Sequence, residues 1–311
     1  MSTDLTPPPS GQTARRVEWQ FLPPHIRDLI SDRCGSPVVE AESQRGGFTP
    51  GFASVLTCAD GSRHFVKAAA VKAQKMFARS YREEARKLEA IGRLVPAPRL
   101  IWTHDEDWVV LGFEYVEARL PARPWRAQEL DRLLDSLEEV AGRACDESLP
   151  LDPIVDDLAD LPQHWQTVLA HHPDLAHADE AAALAQRFPE VLPGTVLQHT
   201  DIRDDNVLLG AHDELWICDW NWPVLGAAWF DTLSALIGPR GDGLDVERIL
   251  SERALTRDVP HEHIDIVLAL LAGYFLKSAD DPVPPTSPYI REAQAWQGDV
   301  VWRWLSERRG W

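Results

Sequence analysis

Hydrophobic and polar positions in the first third of the chain fall into short, strand-like runs. Val38 to Glu42 is β-like, and Arg45-Gly46-Gly47 interrupts it. Ala53 to Cys58 resumes an extended pattern. Asp60-Gly61 is a hairpin signal, and Arg63 to Lys67 is the returning strand. The period then lengthens: between about Ala73 and Ile91, Phe77, Tyr81, Leu88 and Ile91 follow three- and four-residue steps, which predicts an amphipathic helix. Glu84 falls on that apolar stripe, whereas Glu83 lies on the neighbouring face with Arg79 and Lys87 four residues either side. Val95-Pro96-Ala97-Pro98 ends the helical region, and Arg99 to His104 and Trp108 to Phe113 predict two more strands.

Beyond Glu114 the pattern becomes helical, in segments near 126–146, 177–188, 227–237, 245–256, 260–279 and 288–308. Only Val207 to Leu209 and Leu215 to Cys218 look like strands there. The predicted fold is therefore α+β and bilobal. A small β-rich lobe spans 17–113, a hinge spans 114–118, and a larger, mainly helical lobe spans 119–311. Residues 1–16, with Pro7-Pro8-Pro9-Ser10-Gly11, are expected to form a disordered tail without the apolar stretch of a signal peptide. The longest apolar run, Ile266 to Leu276, is about half of what a bilayer span requires and predicts a buried helix core. These features predict a cytoplasmic protein with no membrane partner.

Charge narrows the partners. A net charge of −18 argues against nucleic acid, which needs a basic stripe. It suits a cationic small molecule, although solubility alone would also explain it. The four cysteines, Cys34, Cys58, Cys145 and Cys218, are far apart and match no metal-ligand spacing, so free thiols are expected.

The segment richest in chemistry is Gln198-His199-Thr200-Asp201-Ile202-Arg203-Asp204-Asp205-Asn206, followed by the apolar Val207-Leu208-Leu209. It has the form His-x-Asp-x-x-x-x-Asn. Asp219 ends a second apolar strand, and a turn at Ala211 to Glu214 would bring it beside Asn206, where the two could share a metal ion. Both offer the hard oxygen donors that Mg²⁺ prefers. Upstream, Lys67 ends an apolar strand in a chain with only five lysines. Glu84, an acid on a buried stripe, needs a cationic partner, and Glu83 is the alternative. Gly46-Gly47-Phe48-Thr49-Pro50-Gly51 would let backbone amides approach phosphates, although a plain hairpin turn would look the same. It is not a Walker loop, because no Gly-Lys-Ser/Thr follows.

With Ile217-Cys218-Asp219-Trp220 and Gly226-Ala227-Ala228-Trp229-Phe230-Asp231, these motifs resemble the aminoglycoside phosphotransferase and choline-kinase-like small-molecule kinases, which share the protein-kinase-like fold. The resemblance covers about residues 35–280. It implies transfer of the γ-phosphoryl group of ATP, with GTP as the alternative nucleotide, to a hydroxyl of a small molecule such as an aminoglycoside, another antibiotic or a housekeeping metabolite. In that picture Asp201 is the catalytic base, and Arg203 contacts the transferred group or else pairs with Asp204 or Asp205. Asn206 and Asp219 hold Mg²⁺. Lys67, held by Glu84, and the glycines Gly46, Gly47 and Gly51 bind the phosphates. The backbone of Glu114 and Val116 faces the adenine, His199 holds the loop backbone, and Asp231 braces the catalytic loop or caps a helix.

Thr200 stands where the family usually has Gly, and Asn221 where many relatives have an acid. Seven tryptophans between Trp220 and Trp311 are core residues or an acceptor-stacking surface, and Asp258, Glu262 and Asp265 are amine-binding acids or a solvated helix face. Three rival readings compete with this one. A pseudokinase would keep the nucleotide site without transfer. A protein kinase would need an activation segment, for which Asp219 to Asp231 leaves no room. A metal hydrolase would use His171, His172 and Asp174.

Overall fold

The computed structural model describes residues 13–44, 46–48, 50–145 and 149–311. The N-terminal lobe is a five-stranded antiparallel sheet in the order β1 (Val38–Ser43), β2 (Phe52–Cys58), β3 (Arg63–Ala70), β5 (Trp108–Glu114), β4 (Leu100–Asp105). The β2–β3 hairpin turns at Asp60-Gly61, where Gly61 takes a positive φ of 85° at no steric cost. One sheet face packs on α1 (Pro24–Cys34), burying Ile26 and Ile30 against Phe52, Leu56, Val66 and Val110. The other face packs on α2 (Lys75–Ile91) through Tyr81, Leu88 and Ile91. Alternation along β3 therefore sends Val66 and Ala68 towards α1 and leaves Lys67 on the α2 side.

The C-terminal lobe begins with α3 (Ala127–Ala141), α4 (Ile154–Asp157), α5 (His164–His171) and α6 (Ala178–Ala185). Two small antiparallel pairs follow. The outer one joins β6 (Val196–Gln198) to β9 (Val224–Gly226), and the inner hairpin joins β7 (Val207–Leu209) to β8 (Leu215–Ile217). Next come α7 (Phe230–Ala235), α8 (Ile237–Gly241), α9 (Val246–Glu252), α10 (His261–Ala279) and α11 (Ile290–Arg309). Helix α10 is buried continuously from Ile264 to Gly273 and forms the spine of the lobe, as its apolar run predicts. No helix among the described residues is long and apolar enough to cross a membrane. One apolar core runs from α2 and Phe113 through Leu133 and Leu137 to Leu270 and Trp304, so the lobes share an interior.

The bilobal α+β architecture is the one the patterns predict, with differences in detail. Helices α1 and α5 and the β6–β9 pair are additional elements. Of the expected tail, residues 1–12 lie outside the described residues, but Thr13 to Arg16 are held rather than disordered. Thr13 Oγ1 donates to the Gly47 carbonyl, and the Arg15 amide donates to Thr286 O at 2.9 Å. Arg16 donates to Gln44 O at 2.7 Å and Gly46 O at 2.6 Å. These backbone acceptors, invisible to composition, supply the order.

Candidate active site

A cavity of about 390 Å³ opens between the lobes. Lys67, on β3, forms its charged wall. Its ammonium lies 2.8 Å and 3.1 Å from the two carboxylate oxygens of Glu84 on α2, and it also pairs with Asp219 of the C-terminal lobe. Glu83 pairs instead with Arg86 on the outer face of the helix. Burial works against the charge on Lys67, but Asp219 and Glu84 outweigh it and hold the ammonium above its ordinary pKa. Burial alone would raise Asp219; the ammonium reverses this and keeps its carboxyl below the usual range. Glu84 goes the other way, because burial outweighs Lys67 there.

Asp219 follows β8 with φ 62°, a left-handed conformation that Asp tolerates better than most residues. The β7–β8 register places Val207 opposite Ile217, and the Cys218 amide donates to Asn206 O at 2.8 Å, so Asn206 and Asp219 meet at one end of the hairpin. Buried Asn206 donates from Nδ2 to the Asp201 carbonyl at 2.9 Å. That commits its nitrogen and leaves Oδ1 as a hard donor in the cavity that Asp219 also lines. This donor chemistry fits Mg²⁺.

Asp201 does not line the cavity itself; it sits behind Asn206. Its amide donates to His199 Nδ1 at 3.2 Å, and His199 Nε2 contacts Cys218 O at 2.8 Å. A ring that accepts at Nδ1 and donates at Nε2 ties the loop at 199–206 to the end of β8, which is an architectural task. Dense surroundings push the Asp201 carboxyl above its ordinary pKa, against the pull of Arg203 and His199. Its side chain is still 42% exposed, so water and an acceptor can reach it. Arg203 pairs with Asp201 and grips Asp205 through Nε at 2.9 Å and a terminal nitrogen at 3.2 Å.

Asp231, at the start of α7, accepts the amides of His199 and Thr200, the latter at 2.9 Å. These bonds hold Thr200 at φ 70°, a region where a β-branched residue is strained and Gly is not. A further bond from Thr200 Oγ1 to Trp222 O, 3.1 Å, secures it. The departure from Gly at this position is thus accommodated by side-chain bonding.

The glycine-rich loop lies over the cavity, which Gly46 and Gly47 line. Gly47 has φ 75° and Gly51 φ 150°, and a Cβ on Gly51 would press on the Tyr81 hydroxyl and the Ala68 carbonyl. Thr49 lies outside the described residues. At the other end, Glu114, Tyr115 and Val116 line the cavity. The Glu114 amide already donates to Arg99 O at 3.0 Å, so the Glu114 backbone has only its carbonyl to offer a ligand.

Several groups here escape sequence reasoning. Arg16 lines the cavity beneath Gly47 and lies near enough to favour the charged form of Asp219. Nothing in a proline-rich tail signals this. Gln198 receives the Asp231 amide at 3.0 Å, and Arg123 joins Asp204 to Asp242 at 3.0 Å and 3.1 Å. Asn221 lines the cavity with a buried Oδ1 that has no hydrogen-bond partner among the described residues.

Other candidates lie elsewhere. Asp265 forms a buried pair with Arg308, whereas Glu262 pairs with Arg187 and Arg309 and Asp258 with Arg257 on the helical surface. His171 and His172 bracket Asp280, at 3.1 Å and 2.9 Å, rather than Asp174. Trp220, Trp229, Trp296 and Trp304 are core, whereas Trp222 is 52% exposed beside the catalytic loop. A second hollow, about 450 Å³, lies between the end of α2 and β4; its lining carries none of the convergent groups of the cleft.

A search of curated protein sequences finds no match. Among solved structures, the chain is similar to the choline kinase LicA from Streptococcus pneumoniae, at 14% identity and TM-score 0.63 over 91% of this chain and 99% of that one. It is similar to the spectinomycin phosphotransferase APH(9)-Ia, solved with ADP and spectinomycin, at 12% identity and TM-score 0.62 over 91% and 98%. An aminoglycoside phosphotransferase from Alicyclobacillus acidocaldarius superposes with TM-score 0.57 at 15% identity, over 93% and 96%. These likenesses establish the protein-kinase-like fold. The profile of the phosphotransferase enzyme family matches residues 57–263, from the end of β2 into α10, a span that includes Lys67, Glu84, the Asp201–Asn206 loop and Asp219, and the chain belongs to that family.

Proposed function

We propose that this protein transfers the γ-phosphoryl group of ATP to a hydroxyl of a small molecule. The observation that carries this reading is the Lys67 ammonium, gripped by Glu84 from its own lobe and Asp219 from the other, in a cleft that Asp205 and Asn206 also line, with Asp201 hydrogen-bonded to Asn206. Phosphoryl transfer demands little covalent chemistry of a protein; it demands placement and charge neutralisation.

Lys67 binds the α- and β-phosphates, with Glu84 preventing it from swinging away. Gly46, Gly47 and Gly51 let the loop backbone lie close over the phosphates, and the connector at Glu114 and Val116 receives the base. Asn206 and Asp219 would hold Mg²⁺, which when bound neutralises charge on the phosphate oxygens. Asp201 orients the acceptor hydroxyl and takes its proton. Arg203, released from Asp201 as the acceptor arrives, offers its guanidinium to the transferred group.

For the acceptor, two features favour a molecule with a flat or apolar face and cationic groups: the exposed indole of Trp222 beside the catalytic loop, and the net charge of −18. Amine-bearing antibiotics and metabolic amino alcohols both satisfy this description. The test is a mass-spectrometric screen with Mg-ATP and Mg-GTP against aminoglycosides, macrolides, choline, amino sugars and homoserine, with Asp201→Ala as control. A product heavier by one phosphoryl group, absent with the variant, supports the reading. Phosphorylation of a generic protein substrate, with no small-molecule product, would overturn it.

A further inference from the structure

On the sheet face turned away from the cleft, three potential soft ligands converge from separate elements. Cys34 ends α1, Cys58 ends β2 and His64 lies on β3. One ligand atom from each falls within 4.8 Å of the others. Cys34 and Cys58 are buried at 9% and 2% exposure, His64 is half-buried, and none of the three takes part in the cleft chemistry. We infer that Cys34, Cys58 and His64 form a binding site for a single thiophilic divalent cation, with Zn²⁺ as the best chemical match, that pins α1 to the β2–β3 hairpin.

Sequence spacing hides this group, because Cys34 reaches the others only through the fold. The frame around it is tight. The Ala59 amide donates to Pro37 O at 2.8 Å, and the Asp60 amide to Ser36 Oγ at 3.2 Å, which ties the hairpin tip to the segment following α1. The Cys58 amide donates to Ser62 O at 2.9 Å and closes the hairpin itself. A tetrahedral Zn²⁺ with ordinary Zn–S and Zn–N bonds holds its ligand atoms about 3.5–3.8 Å apart, so a contraction of about 1 Å brings the group to bonding geometry.

The surroundings match such a role. His64 Nε2 contacts Ser62 Oγ at 3.2 Å, and that hydroxyl donates to Asp60 Oδ1 at 2.7 Å. A hydroxyl–carboxylate relay behind an imidazole is the kind of outer partner that orients a ligating histidine. Two sulfurs and an imidazole select soft or borderline ions over Mg²⁺, which keeps this site chemically separate from Asn206 and Asp219. The fourth position is left to water.

The test uses the full reduced protein with excess Mg²⁺, so that the oxygen ligands of the cleft, beside Cys218, are already engaged. Co²⁺ is titrated and the thiolate-to-cobalt charge-transfer absorption followed; Zn²⁺ then competes. The expected result is saturation at one ion per chain, displacement by Zn²⁺, and a rise of several degrees in the unfolding midpoint with Zn²⁺. The absorption and the stabilisation should both be lost in the Cys34→Ser/Cys58→Ser double variant. His64→Ala, at a half-buried position that leaves both thiols in place, should weaken binding at least tenfold and serves if the double variant fails to fold. Absence of the charge-transfer band in folded wild-type protein would overturn the proposal. So would a band that survives loss of both cysteines, or a Cys34–Cys58 disulfide that forms in place of metal binding.

Discussion

At the scale of single residues the cleft depends on opposed electrostatic pressures. Burial raises the Asp201 carboxyl, and Arg203 and His199 pull it back. If Asp201 is the base, as proposed, it works only when ionised, so turnover should fall as pH drops through its raised pKa, giving an acid limb above the ordinary carboxylate value. Asp201→Asn should lower kcat by roughly 10²–10⁴-fold, the usual share of a positioned base, and the residual rate should lack that limb. A pH–rate profile of both proteins checks this. Lys67 and Glu84 were legible in the sequence because an acid on an apolar helical stripe demands a cation. Arg16 was not, because its Pro-rich context reads as disorder and its partners are backbone carbonyls. Arg16→Ala should raise the KM for ATP roughly tenfold, about 1.4 kcal/mol, with little change in kcat, and Arg16→Lys should recover part of the loss. Steady-state kinetics with varied ATP separates the two constants.

Among elements, the catalytic loop depends on α7 for its shape. Asp231 accepts two amides, those of His199 and Thr200, and Gln198 accepts the amide of Asp231 in turn. Asp231→Ala would leave two enclosed donors unpaired and remove what holds Thr200 at positive φ. The expected cost is about 2–4 kcal/mol of stability, with loss of turnover. Asp231→Asn, which keeps one acceptor, should be milder; thermal unfolding of both variants decides. The loop and the β7–β8 hairpin were readable because a polar motif sits between two apolar runs. Strands β6 and β9 were not, since each is three residues long and pairs across a span that includes the whole catalytic loop. Helix α1 was hidden behind Pro23-Pro24, although proline suits a first helical turn, and its Ile26, Ile30 and Cys34 do recur every four residues.

For the whole molecule, the two-lobe plan follows from the change of period near Glu114, and the shared core explains why the cleft is already formed. The contacts that join distant parts were beyond sequence reasoning: Ser287 donating to Phe48 O, the Arg15 amide to Thr286 O, and Arg16 beneath the glycine loop. Each depends on chain segments that meet only in the fold. The −18 charge acts at this scale too. If the acceptor is cationic, its KM should climb as salt is raised from low to physiological strength, while the KM of a neutral analogue stays nearly flat. Kinetics at varied ionic strength shows the difference. Transfer of the γ-phosphoryl group by the Asp201–Asn206 loop with Asp219 is open to a label experiment. ATP labelled in the γ-phosphate is incubated with Mg²⁺ and the best acceptor of the screen, using wild type, Asp201→Ala and Asp219→Ala. Label should pass to the acceptor with one ADP formed per product, and both variants should lose transfer while Asp201→Ala still binds nucleotide. Undiminished transfer by either variant, or ATP consumption without label in the acceptor, would contradict the account.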